Sequence, residues 1–428
     1  MTRWSFGIRD LLRFGRGVEP LRHRDFRFYW VGFAVSRLGA SIEEMGAVWL
    51  VYELTRSPVM LGLLGLARAI PAVILSPIAG VIADRVDQRR LLFTTQALLL
   101  LISLALGVLV LAGVVEVWHI YAQIAAHAAI TAFDAAGRQA LFPRLVPRSH
   151  LPEALTLTVT AARMSKVVGP VIGGLAIAGL GVASPFFLTA ATALGLMGAV
   201  LKMMPLEVFA RPLGSSFRGE LTEGLRYIAS TPVVRGLFTL EIAFGFLQMN
   251  PVMITLFSQE ILHVGPEGLG GLMSAPAFGS VIGVFGLLAL GQARRQGRFV
   301  ILSALAYAVL LAAFSVGGGY AIALAVLATI GLFDAVMTVT RHSVVHLAVP
   351  NRMRGRVLGN MGLVTRGVTP LSEVQSGVLT GLFGPPLAVL TAALVLILSV
   401  GATVRANPGL WGFARDELPD APTVPGPT

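Results

Sequence analysis

Twelve apolar stretches, each close to the ~20 residues a helix needs to cross a bilayer, constrain this chain more than any other feature. They run at 28–52, 58–83, 91–113, 119–140, 155–179 and 184–204, then at 233–259, 268–290, 299–316, 320–342, 357–382 and 386–404. Within hydrocarbon every backbone N–H and C=O must find a partner inside the protein, which leaves helices or closed barrels. Stretches of this length read as helices, so the expected class is an all-α polytopic membrane protein with twelve transmembrane helices. Composition agrees, with 55% hydrophobic and 13% charged residues against roughly 25% charged in soluble domains.

Connections between the spans set the orientation. Arginines collect in alternate ones, at 3–27, 85–90, 138–148, 211–226, 294–298 and 352–356, while the others hold almost none apart from Arg56. The positive-inside rule then predicts cytoplasmic N- and C-termini. The net charge of +11 sits at helix ends rather than on one basic face, which argues against a nucleic-acid partner. Cysteine is absent, which excludes disulfides and thiolate metal sites. The first apolar stretch is too long to be the core of a cleaved signal.

The chain repeats itself. Phe133-Asp134-Ala135 returns as Phe333-Asp334-Ala335, Arg138 with Val146-Pro147 as Arg341 with Val349-Pro350, and Lys166 with Gly169-Pro170 as Arg366 with Thr369-Pro370. Three matches in order imply that the two sets of six spans repeat one another. The predicted organisation is an N-terminal segment 1–27, a first half 28–204, a linker 205–232, a second half 233–404 and a tail 405–428. In the linker, Phe217, Leu221, Leu225 and Ile228 fall at helical spacing opposite Arg218, Glu220, Glu223 and Arg226, which predicts an amphipathic helix on the inner membrane surface. The proline-rich tail is expected to be disordered.

The run Gly80-Val-Ile-Ala-Asp84-Arg85-Val-Asp87-Gln-Arg89-Arg90 resembles the loop signature of the major facilitator superfamily of transporters. Stretches at 49–57, 133–147, 151–154 and 224–232 resemble the branch of enterobactin exporters and macrolide efflux proteins, and the likeness covers 21–405. Ala136, Thr158 and Lys166 stand where that branch usually carries Pro, Asn and Arg. Gly169-Pro170-Val-Ile-Gly173-Gly174 resembles the motif that marks antiporters of the superfamily; the proline kinks the helix and the glycines allow close contact. The resemblance implies two pseudo-symmetric six-helix halves in a bacterial inner membrane, with a substrate site near the midplane between them. It also implies a gating set of Gly80, Asp84, Arg85, Arg89, Arg90, Arg138, Gly169 and Pro170. In the outward-facing state Asp84 is expected to contact Arg138, at the inner end of the fourth helix, or the N-terminus of the eleventh helix.

Charge within the spans marks the chemistry. Arg37, Glu43, Glu44, Arg68, Lys166, Glu241, Arg366 and Glu373 lie in the hydrocarbon slab, where each costs roughly 2.5–3.5 kcal/mol if it faces lipid. They should therefore face a cavity or one another. Arg37 and Glu44 share a helix face but stand about 10 Å apart along the axis, so their partners must come from other helices. Glu44 is the first candidate for a proton carrier and Glu241 the second, with Glu43 and Glu373 read as structural and His127 and Asp134 as weaker candidates. Spans 3, 6, 9 and 12 carry no charge in their cores, as the resemblance implies for outer helices. Arg37, Glu44, Trp49, Gln248, Met249 and Asn250 are the expected substrate contacts, with Met253 as a further apolar one.

The expected function is a proton-coupled exporter of an amphipathic small molecule, in the drug, macrolide or siderophore range, working as a monomer by alternating access. A proton-coupled importer and a non-transporting membrane sensor are the alternatives. No nucleophile with a base, metal cluster or phosphate loop can be read, so neither an enzyme nor a cofactor is expected.

Overall fold

Proline and short polar caps start the helices where the sequence leads one to expect them. The computed structural model describes residues 17–204, 217–290 and 295–413. The first six helices are α1 (Arg24–Thr55), α2 (Pro58–Ala83), α3 (Gln88–Leu111), α4 (Val117–Leu141), α5 (Leu151–Leu180) and α6 (Ser184–Lys202). Ser57 accepts from the Met60 N–H ahead of Pro58, and Asp87 accepts from the Arg89 N–H, so each satisfies an N–H that the first helical turn leaves over. The remaining helices are α7 (Phe217–Ser230), α8 (Pro232–Leu247), α9 (Pro251–Glu260), α10 (Pro266–Leu290), α11 (Gln296–Ser315), α12 (Tyr320–Ala348), α13 (Asn351–Phe383), α14 (Pro385–Ala406) and α15 (Pro408–Gly412).

Among the described residues nine helical segments are long and apolar enough to cross a membrane. Three more, α1, α4 and α13, are long enough but fall outside that group. These are the helices loaded with charge, including Arg37, Glu43 and Glu44 in α1, Asp134 and Arg138 in α4, and Glu373 in α13.

The chain forms two compact units. One comprises 1–213 together with 263–274, the other 214–262 together with 275–428. The first half as read from sequence therefore gains the opening turns of α10. In this unit α1 packs on α5 and α6, α2 on α4, and α3 on α4 and α6. Small residues permit these contacts. A Cβ on Gly169 would stand 2.5 Å from that of Ser41, and one on Gly39 would collide with the Thr192 hydroxyl. Tyr29 and Phe33 stack at 5.9 Å between centroids, and Phe26 meets Phe142 edge-on.

In the second unit α8 packs on α13 and α14, and α11 on α12 and α14. Three expectations change here. The stretch 233–259 is two helices, because Gln248 leaves helical geometry and Asn250 caps α9 through the Met253 N–H, with Pro251 at the first helical position. The linker helix α7 docks on α13: Gly224 lies against Arg356 and Asn360, Glu223 pairs with Arg356 at 2.6 Å, and Asn360 donates to the Leu221 carbonyl. Ile228 is buried while Leu225 is exposed, so the expected face does not act as a unit; the side chains of Phe217, Arg218 and Glu220 lie outside the described residues. The tail is ordered through 413. Leu410 is buried against Gly236 and Gly297, and Asn407 accepts from Arg235, so apolar burial begins where proline content suggested none; 414–428 lie outside the described residues.

Candidate functional site

Neighbouring positions on a helix point about 100° apart, and α1 uses this to send two adjacent carboxylates to different partners. Glu43 is buried toward α3 and α4. It accepts from Ser103 Oγ at 2.8 Å, from Gln123 Nε2, and from His127 Nδ1 at 3.2 Å. Glu44 turns toward α2 and accepts from Arg68 Nη1 at 3.1 Å, and Lys166 adds a second positive charge to its surroundings. The Arg68 and Glu44 side chains keep 37% and 29% of their surface exposed, so this carboxylate, unlike that of the buried Glu43, can be reached.

Two turns N-terminal on α1 begins a second polar cluster. Asp134 of α4 accepts from Thr95 Oγ1 at 3.2 Å, Gln96 Nε2 at 2.9 Å and Arg138 Nε at 2.5 Å. Arg138 also donates to Ser36 at 3.3 Å, and its guanidinium lies 4.9 Å from the centre of the Phe33 ring. Arg37 lies 5.3 Å from the same ring. A small cavity of about 30 Å³ opens here, lined by Ser36, Arg37, Gln96, His127, Asp134 and Arg138 among others. His127 therefore belongs both to the cavity wall and to the partners of Glu43.

The expected contact between Asp84 and Arg138 is not made in this structure. Arg138 is committed to Asp134, four residues earlier on its own helix, while Asp84 and Arg85 are exposed at the end of α2. Arg89 instead closes the C-terminal end of α6, donating to Val200 O at 2.9 Å and to Leu201 O. That end carries unsatisfied carbonyls and partial negative charge. Arg90 stands 4.0 Å from Asp87, and Gly80 has open space around it. Gly169 and Pro170 are buried within α5.

In the second unit Glu241 of α8 pairs with Arg341 of α12 and accepts from Thr365 Oγ1 at 2.5 Å. Both members of the pair are buried, with side chains 6% and 7% exposed. The two repeats thus fix equivalent arginines differently: Arg138 takes its acid from its own helix and Arg341 from α8. Gln248 donates to Thr369, Met249 N–H to the Tyr307 hydroxyl at 2.8 Å, and Asn250 Nδ2 to Ser372 and to Ser376 at 2.8 Å. These bonds brace the break between α8 and α9. Trp49 is half-buried and donates to Glu53 within α1. Glu373 is buried, and the Arg366 side chain lies outside the described residues.

Sequence reading singled out the charged members and passed over their hydrogen-bond partners. A usable signal was present. Gln123, His127, Thr131, Asp134 and Arg138 recur at three- and four-residue intervals along one face of α4, and Gln96 and Ser103 stand seven apart on α3, which lacks charge in its core but is not apolar on that face.

Residues 16–413 match the transmembrane secretion effector family. The chain is 25% identical over 371 residues to the multidrug efflux pump Tap of Mycolicibacterium fortuitum, spanning 84% of this chain and 90% of that one. It is 23% identical over 302 residues to macrolide efflux protein A of Streptococcus pyogenes, spanning 67% and 72%. Its fold matches the crystal structure of the nucleoside transporter NupG with a TM-score of 0.71 at 11% identity, over 90% of this chain and 98% of that one. This last likeness bears on the fold alone. Long apolar helices, charge-bearing spans and sequence relatives converge: the chain belongs to the transmembrane secretion effector family of major facilitator transporters, multi-pass membrane proteins that carry small molecules across a bilayer.

Proposed function

We propose that the protein is a proton-driven exporter of an amphipathic small molecule, working by alternating access in a bacterial inner membrane with both termini cytoplasmic. The observation that carries this reading is the pair of Glu44 and Arg68, a carboxylate and a guanidinium inside the spans at 3.1 Å and both partly exposed. Protonating Glu44 removes its attraction to Arg68, and deprotonating it restores that attraction, so proton and substrate can act on the same contact. The relatives named as efflux pumps favour outward movement. Glu44 is the first carrier and Glu241 the second. Arg37, Glu44, Trp49, Gln248, Met249 and Asn250 contact substrate, the last three at a braced helix break where Gln248 and Met249 are half-exposed and Asn250, buried here, would have to be uncovered. Gly80, Asp84, Arg85, Arg89, Arg90, Arg138, Gly169 and Pro170 serve the gate.

Inside-out proteoliposomes given an acidic lumen test this directly, with a radiolabelled macrolide and a radiolabelled amphipathic carboxylic acid as parallel probes. Accumulation that collapses with the pH gradient supports proton-driven export. Loss of preloaded label under the same gradient supports import. A reporter in the exposed turn 317–319, expected outside, and one beyond 413, expected inside, test the orientation.

A further inference from the structure

The cavity beside α1 holds an imbalance of charge. Arg37, Arg138 and Asp134 line it, together with His127, whose Nδ1 faces Glu43. Asp134 is saturated by Thr95, Gln96 and Arg138. Arg37 makes no hydrogen bond or ion pair among the described residues; it has the Phe33 ring face and the fields of Arg138, Asp134 and Tyr29 around it. Nη1 of Arg138 is likewise buried without a hydrogen-bond partner, on a side chain 7% exposed. One carboxylate therefore answers two guanidiniums at a wall that also presents hydroxyls from Ser36, Thr131, Thr189 and Thr192. A cation held in such a place without a counter-charge is costly, and a planar guanidinium is suited to a carboxylate, sulfonate or phosphate.

We propose that this cavity seats an anionic group of the transported molecule, with Arg37 as its principal contact, Arg138 as a second positive charge and the Thr131 hydroxyl, buried with no other hydrogen-bond partner, as a donor. The substrate class is thereby narrowed to amphipaths that bear an acidic group. The inference rests on the transporter reading but not on the direction or the driving ion, since the charge of the cavity is the same in either.

Because the natural chain has no cysteine, a single Ala40→Cys substitution places one thiol on the cavity wall. Its rates of modification by anionic sulfonatoethyl methanethiosulfonate and cationic trimethylammonioethyl methanethiosulfonate are compared in the purified full-length protein, each divided by the rate with free cysteine. The anionic reagent is expected to be favoured by about tenfold or more in that ratio, as a positively charged recess concentrates anions. Adding Arg37→Gln should bring the ratio close to one, and Arg37→Lys should retain most of the preference. A ratio near one or below it in the Ala40→Cys protein, a ratio that Arg37→Gln leaves unchanged, or failure of both reagents to react would each overturn the proposal. If vesicles neither take up nor lose label in either direction while the anion preference stands, the transporter reading is at fault and the anion seat no longer belongs to a transported molecule; transport without the anion preference removes the site alone.

Discussion

Glu241 on α8 and Arg341 on α12 form an ion pair with both side chains buried and Thr365 completing the carboxylate. Removing one member of such a pair strands the other. Glu241→Gln should lower stability by about 3–5 kcal/mol, whereas the double variant Glu241→Gln with Arg341→Met should lose much less than the sum of the two single losses. Thermal unfolding in detergent measures both. Additive losses would mean that the contact is not energetically coupled.

The contact of α1 with α5 depends on Gly169. A Cβ there would stand 2.5 Å from the Ser41 Cβ and 2.8 Å from its hydroxyl, so Gly169→Ala should destabilise by about 1–3 kcal/mol through overpacking. Ser41→Gly removes the obstructing atoms, and the double variant should recover part of the loss. Without any recovery, the cost would lie in the α5 backbone rather than in the interface. Thermal unfolding or yield of monodisperse protein reads the difference.

Asn250 does two jobs at the break in the seventh span, capping α9 through Met253 N–H and donating to Ser372 and Ser376. Asn250→Ala loses both and should cost about 1–3 kcal/mol. Asn250→Asp keeps the cap but loses the donors, so it should fall between Ala and wild type. Equal losses for the two variants would assign the whole effect to the donors.

How much of this was legible follows from what hydropathy can see. Long apolar runs and helix-end arginines gave the spans and their order, because length and charge placement answer to the bilayer directly. The break at 248–250 was hidden because its residues sit inside an otherwise apolar run, although Asn250 before Pro251 is itself a helix-start signal. Partners across helices were out of reach. Spacing along α1 says that Glu43 and Glu44 diverge, but only the packing shows that one meets Ser103, Gln123 and His127 while the other meets Arg68. The partner of Arg138 was out of reach for the same reason: nothing in the loop reveals that Asp134 already holds it.

The loop between α2 and α3 separates structure from gating. Arg89 satisfies carbonyls at the end of α6, so Arg89→Ala should cost about 1–2 kcal/mol. Asp84 is exposed, and Asp84→Asn should leave stability within about 0.5 kcal/mol of wild type while slowing transport severalfold. Thermal unfolding paired with transport rate in vesicles decides it. Normal turnover in Asp84→Asn would reduce this residue to a marker of membrane orientation.

The central claim is that a proton moving on and off Glu44 drives the substrate. Inside-out proteoliposomes carrying Glu44→Gln, compared with wild type at equal protein content, test it most directly. Two rates are read, uptake of labelled substrate driven by an acidic lumen and exchange of label at equal pH. Wild type should accumulate label, while Glu44→Gln should lose gradient-driven accumulation and keep exchange, since a neutral glutamine still allows the protein to bind and turn over substrate but cannot carry a proton. Gradient-driven accumulation at the wild-type rate in Glu44→Gln would contradict the account.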